Sequence, residues 1–202
     1  VVPDSALRHG VWLLMLLLTA CAVQPPQVSQ APRSTWLKHR ATLEGMDQWQ
    51  AQGRIAVRVG DEGWNANFDW RQLGADYRIR LRGPFGQGAV ELAGDPRQGV
   101  WLRRADAPPR FALDPETLLL EETGWQLPVA GLSDWLRGLP VADAEPSLVW
   151  DERGRLVALE QDGWQIDYRR YQTAGGVELP ALLVLQQERV RVKFVIDTWQ
   201  LQ

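Results

Sequence analysis

The chain has 202 residues, 45% hydrophobic and 23% charged, which fits one domain large enough to enclose a core or a cavity, plus a targeting segment. A formal charge of −3 gives no basic balance and argues against nucleic acid as the main partner, and a single cysteine rules out an internal disulfide. Tryptophan is the outlier, 11 residues against 3 Tyr and 4 Phe; such wide amphipathic rings serve either as core fillers or as the lining of apolar cavities and membrane interfaces.

Residues 1–20 read as a signal peptide. Arg8 and His9 form a short positive start, and Val11 to Leu18 an apolar run too short to span a bilayer as a mature helix. The run ends in Leu18-Thr19-Ala20-Cys21, which resembles the lipobox of bacterial lipoproteins; the alternative is an ordinary secretory peptide with a chance cysteine. The lipobox resemblance implies cleavage before Cys21 and its acylation, and each buried methylene of the acyl chains would contribute about 0.8 kcal/mol to membrane attachment. Residues 21–34, with Pro25, Pro26 and Pro32, lack apolar periodicity and read as a lipidated flexible tether. About a dozen residues at roughly 3.3 Å each hold a domain up to about 40 Å from a bilayer. Ala22, not Asp, follows the cysteine, which in lipoprotein sorting implies release to the outer membrane.

Residues 35–202 form the domain. Thr35 to Trp49 predicts a helix with Trp36, Leu43 and Met46 on one face. From Gly53 to Leu92 four segments alternate with period two, the signature of half-buried antiparallel strands: Ile55, Val57 and Val59 against Arg54, Ala56 and Arg58; Phe68 and Trp70 against Asn67 and Asp69; Tyr77, Ile79 and Leu81 against Arg78, Arg80 and Arg82; then AVELAG. Gly99 to Arg103 predicts a further strand and Ala107-Pro108-Pro109 a loop.

Asp114-Pro115-Glu116 marks a helix start, with Asp as N-cap, Pro where its missing N–H costs nothing and Glu against the positive end of the dipole. Leu118, Leu119 and Leu120 follow; after Pro128, a second short helix places Leu132, Trp135 and Leu136 on one side. Two one-sided helices between strands predict a lid lying on a sheet. Strands are expected again over Ser147–Asp151, Arg155–Gln161, Trp164–Tyr171, Ala181–Gln187 and Arg189–Leu201, with Asp162-Gly163 as a two-residue hairpin loop. The fold class is therefore mainly β with helices (α+β): an incomplete antiparallel β-barrel with a helical lid over an apolar cavity.

No catalytic constellation emerges. His9 leaves with the signal peptide, His39 is expected to be a solvated side chain, and Cys21 is expected to be acylated, so no Cys/His or Ser/His pair, no metal site and no cofactor is expected. Glu121 and Glu122 are adjacent on a helix and point about 100° apart, a solvated edge rather than an acid/base pair. Gly83, Gly86 and Gly88 precede a strand instead of a helix and so do not form a phosphate loop. Phe85 is unusual: between Pro84 and Gly86, at a strand junction where polar residues are the rule, its ring either plugs the end of the sheet or projects toward an apolar partner.

These features resemble the LolB family of outer-membrane lipoproteins: the lipobox, Gly53-Arg54-Ile55-Ala56-Val57, Phe68-Asp69-Trp70, Pro84-Phe85-Gly86, Leu127-Pro128, Leu132 through Trp135-Leu136 to Gly138-Leu139-Pro140, Tyr168, Pro180, and Arg191-Val192-Lys193 to Trp199. The resemblance covers the whole mature chain in order. It implies a LolA/LolB-like unclosed barrel that takes acylated lipoproteins from a LolA-like periplasmic carrier, as a monomer, without cofactor or covalent chemistry, and incorporates them into outer-membrane phospholipid. It also implies a projecting apolar insertion loop at Pro84, Phe85 and Gly86. A family member carries leucine at that position, and phenylalanine keeps it apolar. Alternation nominates Ile55, Val57, Phe68, Trp70, Ile79, Leu81, Leu118, Leu132, Trp135, Leu136, Ile166, Tyr168, Leu183, Val192 and Phe194 as the acyl-chain surface. From the residues alone, a lipocalin-like carrier of a small apolar ligand and a structural lipoprotein of an outer-membrane assembly stay open.

Overall fold

A computed structural model describes residues 32–83, 88–95, 97–123, 128–142 and 145–202. A helix, α1 (Arg33–Glu44), leads into six strands, β1 (Gln48–Val59), β2 (Glu62–Leu73), β3 (Asp76–Arg82), β4 (Val90–Asp95), β5 (Gly99–Arg104) and β6 (Ala107–Ala112). Two helices follow, α2 (Pro115–Thr123) and α3 (Val129–Arg137), and then β7 (Ser147–Trp150), β8 (Leu156–Gln161), β9 (Trp164–Ala174), β10 (Val177–Gln187) and β11 (Val190–Leu201). The strands form one antiparallel sheet in the order β6-β5-β4-β3-β2-β1-β11-β10-β9-β8-β7, with β6 and β7 as free edges. The expected unclosed sheet with helices is therefore the observed architecture.

The topology dictates where the helices lie. Each half of the sheet is a meander of sequentially adjacent antiparallel strands, and the halves meet where β11 pairs with β1. The chain leaves the first half at one edge, β6, and re-enters at the opposite edge, β7, so the intervening segment must travel from one edge of the sheet to the other. The apolar sides of α2 and α3 settle on the inner face, α2 against β5 and β6 and α3 against β10.

Period-two burial holds along the central strands. Ile55, Val57, Phe68, Trp70, Val192, Phe194 and Ile196 are buried, while Arg54, Arg58, Asn67, Arg191 and Lys193 are exposed. Of the tryptophans, Trp36, Trp49, Trp135, Trp164 and Trp199 are buried core fillers, and Trp70 is buried as well. Trp49 packs against Trp70 and Trp199 at 5.7 and 5.3 Å, and Phe68 meets Phe194 edge-on at 5.5 Å. Asp162 and Gly163 have φ of 52° and 78°, the pair of left-handed residues that a two-residue hairpin turn needs.

Four expectations need correction. The helix predicted over Thr35–Trp49 ends at Glu44, and β1 begins at Gln48, because Trp49 and Ala51 continue the strand alternation and are buried against β11 and β2. The loop expected at Ala107-Pro108-Pro109 is the start of β6; an edge strand donates on one side only, so prolines are tolerated there. Likewise β10 starts at Val177, not Ala181, and accommodates Pro180 at a register shift opposite β9. His39 is half-buried rather than solvated, and its Nε2 is a buried atom without a hydrogen-bond partner among the described residues.

Candidate functional site

An apolar cavity of about 340 Å³ lies between the lid and the inner face of the first half of the sheet. It is lined by Ile55 and Val57 of β1, Trp64, Phe68 and Trp70 of β2, Ile79 and Leu81 of β3, Val90 and Leu92 of β4, Leu102 and Arg104 of β5, Phe194 of β11, Leu119 of α2, Val129 and Leu132 of α3, and Gly88. Arg104 is the one charged side chain among them, and both its Nε and a terminal nitrogen bond the carboxylate of Asp106 at 3.1 Å in the following turn. The remaining wall is hydrocarbon and aromatic ring, so a guest would be held by removal of apolar surface from water, roughly 0.8 kcal/mol per methylene, without directional bonds.

Of the fifteen residues that alternation nominated, Ile55, Val57, Phe68, Trp70, Ile79, Leu81, Leu132 and Phe194 line this cavity. Leu118, Trp135, Leu136, Ile166, Tyr168, Leu183 and Val192 are buried in packed core instead. The cause is α3, which fills the second half of the sheet. Trp135 packs on Trp164 at 6.1 Å and donates from Nε1 to Oε1 of Gln161 at 3.1 Å. Gln161, 3% exposed, also accepts from the Val141 N–H and donates to its carbonyl, both at 2.8 Å. The Tyr168 hydroxyl donates to the Trp135 carbonyl at 2.9 Å, and full burial pushes its pKa well above the ordinary phenol value. A polar network satisfied to this extent fixes α3 in place.

Arg137 at the end of α3 ties the same helix to α1. Its guanidinium donates to the carbonyls of Leu43 and Met46 at 3.2 and 2.7 Å and to Asp134 at 2.5 Å. Burial raises the Asp134 carboxyl, and the Arg137 charge opposes that shift. Among the described residues, the other helix is tied by fewer hydrogen bonds to the rest of the domain. Asp114 caps α2 by accepting from the N–H groups of Glu116 and Thr117 at 3.0 and 3.1 Å, and Arg110 pairs with Glu121, but Leu113 and Leu120 remain 72% and 45% exposed.

Trp64, Val90, Leu92 and Leu102 were legible as cavity candidates, since each continues a period-two run already recognised; Leu119 and Val129 lie on the predicted lid. Arg104 and Gly88 carried no such signal. Cys21, the signal peptide, most of the tether and the Pro84, Phe85 and Gly86 tip lie outside the described residues. The described flanks of that tip, Leu81, Gly88 and Val90, all line the cavity. Among the described residues no helix is long and apolar enough to cross a membrane.

A family model described as outer membrane lipoprotein LolB matches residues 47–199. The outer-membrane lipoprotein LolB of Pseudomonas savastanoi pv. phaseolicola is 38% identical over 198 residues, covering 96% of each chain. That of Stutzerimonas stutzeri is 40% identical over 190 residues, covering 93% of this chain and 92% of its own. In fold, the chain is similar to a DUF1329 family protein from Desulfovibrio piger, with a TM-score of 0.55 and 7% identity, and to a LolA superfamily protein from Nitrosomonas europaea, with a TM-score of 0.51 and 11% identity. Each of these matches covers 86% of this chain and 94% of the other.

Proposed function

The chain belongs to the LolB family of outer-membrane lipoproteins, and from that premise we propose that it receives acylated lipoproteins from a LolA-like periplasmic carrier and passes them into outer-membrane phospholipid. The observation that carries this reading is the open apolar cavity beneath α2 and α3. Acyl chains of the cargo enter it and lie against Ile55, Val57, Phe68, Trp70, Ile79, Leu81, Leu132 and Phe194. No covalent step is needed: burial of hydrocarbon drives uptake, and the bilayer, which buries the same chains more completely, drives release.

Cys21 carries the lipid that anchors the monomeric receptor, and residues 22–32, up to the start of α1 at Arg33, give it reach. Phe85, between Pro84 and Gly86 in the connection from β3 to β4, enters the bilayer surface and opens a path from cavity to membrane. The deciding experiment is depletion of the protein in cells followed by fractionation. Lipidated cargo accumulates in the periplasm if the reading holds, and cargo distribution unchanged after depletion overturns it. Replacing Phe85 by Glu separates two steps: cargo still loads but stays out of the membrane, whereas loss of folding would make Phe85 a plug of the sheet.

A further inference from the structure

The outer face of the sheet carries a charge pattern that the cavity does not explain. The four adjacent strands β11, β1, β2 and β3 hold eight basic residues, Arg54, Arg58, Arg71, Arg78, Arg80, Arg82, Arg191 and Lys193, against four acidic ones, in a chain whose net charge is −3. All eight are exposed. Two of the acids are already engaged on that face: Asp69 accepts from Gln50 and Gln52 at 2.8 and 3.0 Å, and Asp197 pairs with Arg54 at 3.1 Å. Glu91 of β4 serves Arg80 at 2.8 Å and Arg78 at 3.8 Å. Among the described residues, Arg58, Arg71, Arg82, Arg191 and Lys193 have no carboxylate partner.

The register sharpens the point. Arg58 lies directly opposite Arg191, and Arg71 directly opposite Arg78. Like charges facing each other across strands destabilise a sheet. An arrangement that works against the fold is accounted for by an anionic surface outside it. At the flank of the same face, Trp101 and Phe111 stack at 5.1 Å while remaining 43% and 49% exposed. Exposed aromatic rings beside arginines match the boundary of a phospholipid bilayer, where rings sit at headgroup depth and cations meet phosphates. Cations spread over four strands suit a fluid array of headgroups better than one stereospecific partner.

We propose that the outer face of β11, β1, β2 and β3 docks on the anionic headgroups of the bilayer to which the lipoprotein is anchored, with Trp101 and Phe111 settling at the interface. This rests on the membrane-anchored reading above but not on cargo transfer, and its failure leaves that reading intact. Docking would set the orientation of the cavity relative to the membrane, which a flexible tether alone cannot do.

The test uses the mature acylated protein in phospholipid vesicles. With Cys21 acylated, Asn67→Cys supplies a single thiol on the outer face for an environment-sensitive fluorophore, read with the neutral quencher acrylamide. In vesicles containing phosphatidylglycerol the label is shielded several-fold relative to vesicles of phosphatidylcholine alone. The combined variant Arg58→Gln, Arg82→Gln, Arg191→Gln and Lys193→Gln abolishes the difference, since each charge contributes about a five-fold factor near an anionic surface. Because that variant relieves the Arg58–Arg191 repulsion, its Tm stays equal or rises, so lost shielding cannot be blamed on unfolding. Equal quenching in both lipids, or shielding that survives the substitutions, overturns the proposal, as does shielding that requires an added protein.

Discussion

Gly53 sits where the two halves of the sheet are sewn together. A Cβ there would meet the Val195 carbonyl oxygen at 2.0 Å, at the register shift between β1 and β11. Neither backbone can retreat without breaking the central ladder, so Gly53→Ala is expected to destabilise the domain by about 3 kcal/mol or more, measured by urea unfolding. A second residue reads out as pH dependence. Burial lowers the pKa of His39 from its ordinary 6.5, outweighing the opposing pull of Glu178. The folded state thus favours the neutral ring. Stability from this site is complete above the unfolded value and falls as the pH drops through it toward the folded pKa. Thermal melts from about pH 8 to 5 should show that decline, and His39→Gln should flatten it. The same scale shows where sequence reading stops. Alternation identifies the face on which Ile166 and Ile55 both lie, but only the position of α3 decides that Ile166 is covered while Ile55 borders a void.

The lid is made of two helices held to different degrees. α3 is pinned by the Gln161, Tyr168 and Arg137 bonds, whereas α2 rests on the two strands nearest a free edge with part of its apolar surface outside. Opening should therefore be a movement of α2 against a stationary α3. Hydrogen exchange should find the α2 amides exchanging at least ten-fold faster than those of α3; equal protection would mean that the lid moves as one body. Arg137→Ala should loosen α3 as well, at a cost of about 1–3 kcal/mol, because it removes the donor to the Leu43 and Met46 carbonyls and leaves the half-buried Asp134 without that cation. Both helices were legible from their caps and spacing. The start of β1 was not, since Trp49 fits a helix face and a strand face equally well until β11 and β2 are present to pair with it. Nor was β6, because proline is evidence against a strand except at a sheet edge, and edges are a property of the assembled topology.

At the scale of the whole molecule, accepting hydrocarbon as proposed would mean forgoing stability that the domain could have gained by filling its own interior. An unfilled apolar space of about 340 Å³ is lost packing, tolerable only if the gap serves a guest. Enlarging a half-buried wall residue tests that trade directly. Val90→Phe extends a side chain already on the cavity wall and should add about 1–2 kcal/mol of buried apolar surface. For a domain of this size the gain corresponds to a Tm about 2–8 °C higher. Hand-off of an acylated lipoprotein from carrier to receptor should fall at least ten-fold in the same variant, measured with purified components and vesicles. Higher stability with impaired transfer ties the void to the cargo. Higher stability with transfer intact would mean that the acyl chains travel by another surface, and the cavity would lose its role as the place where cargo rests between carrier and membrane.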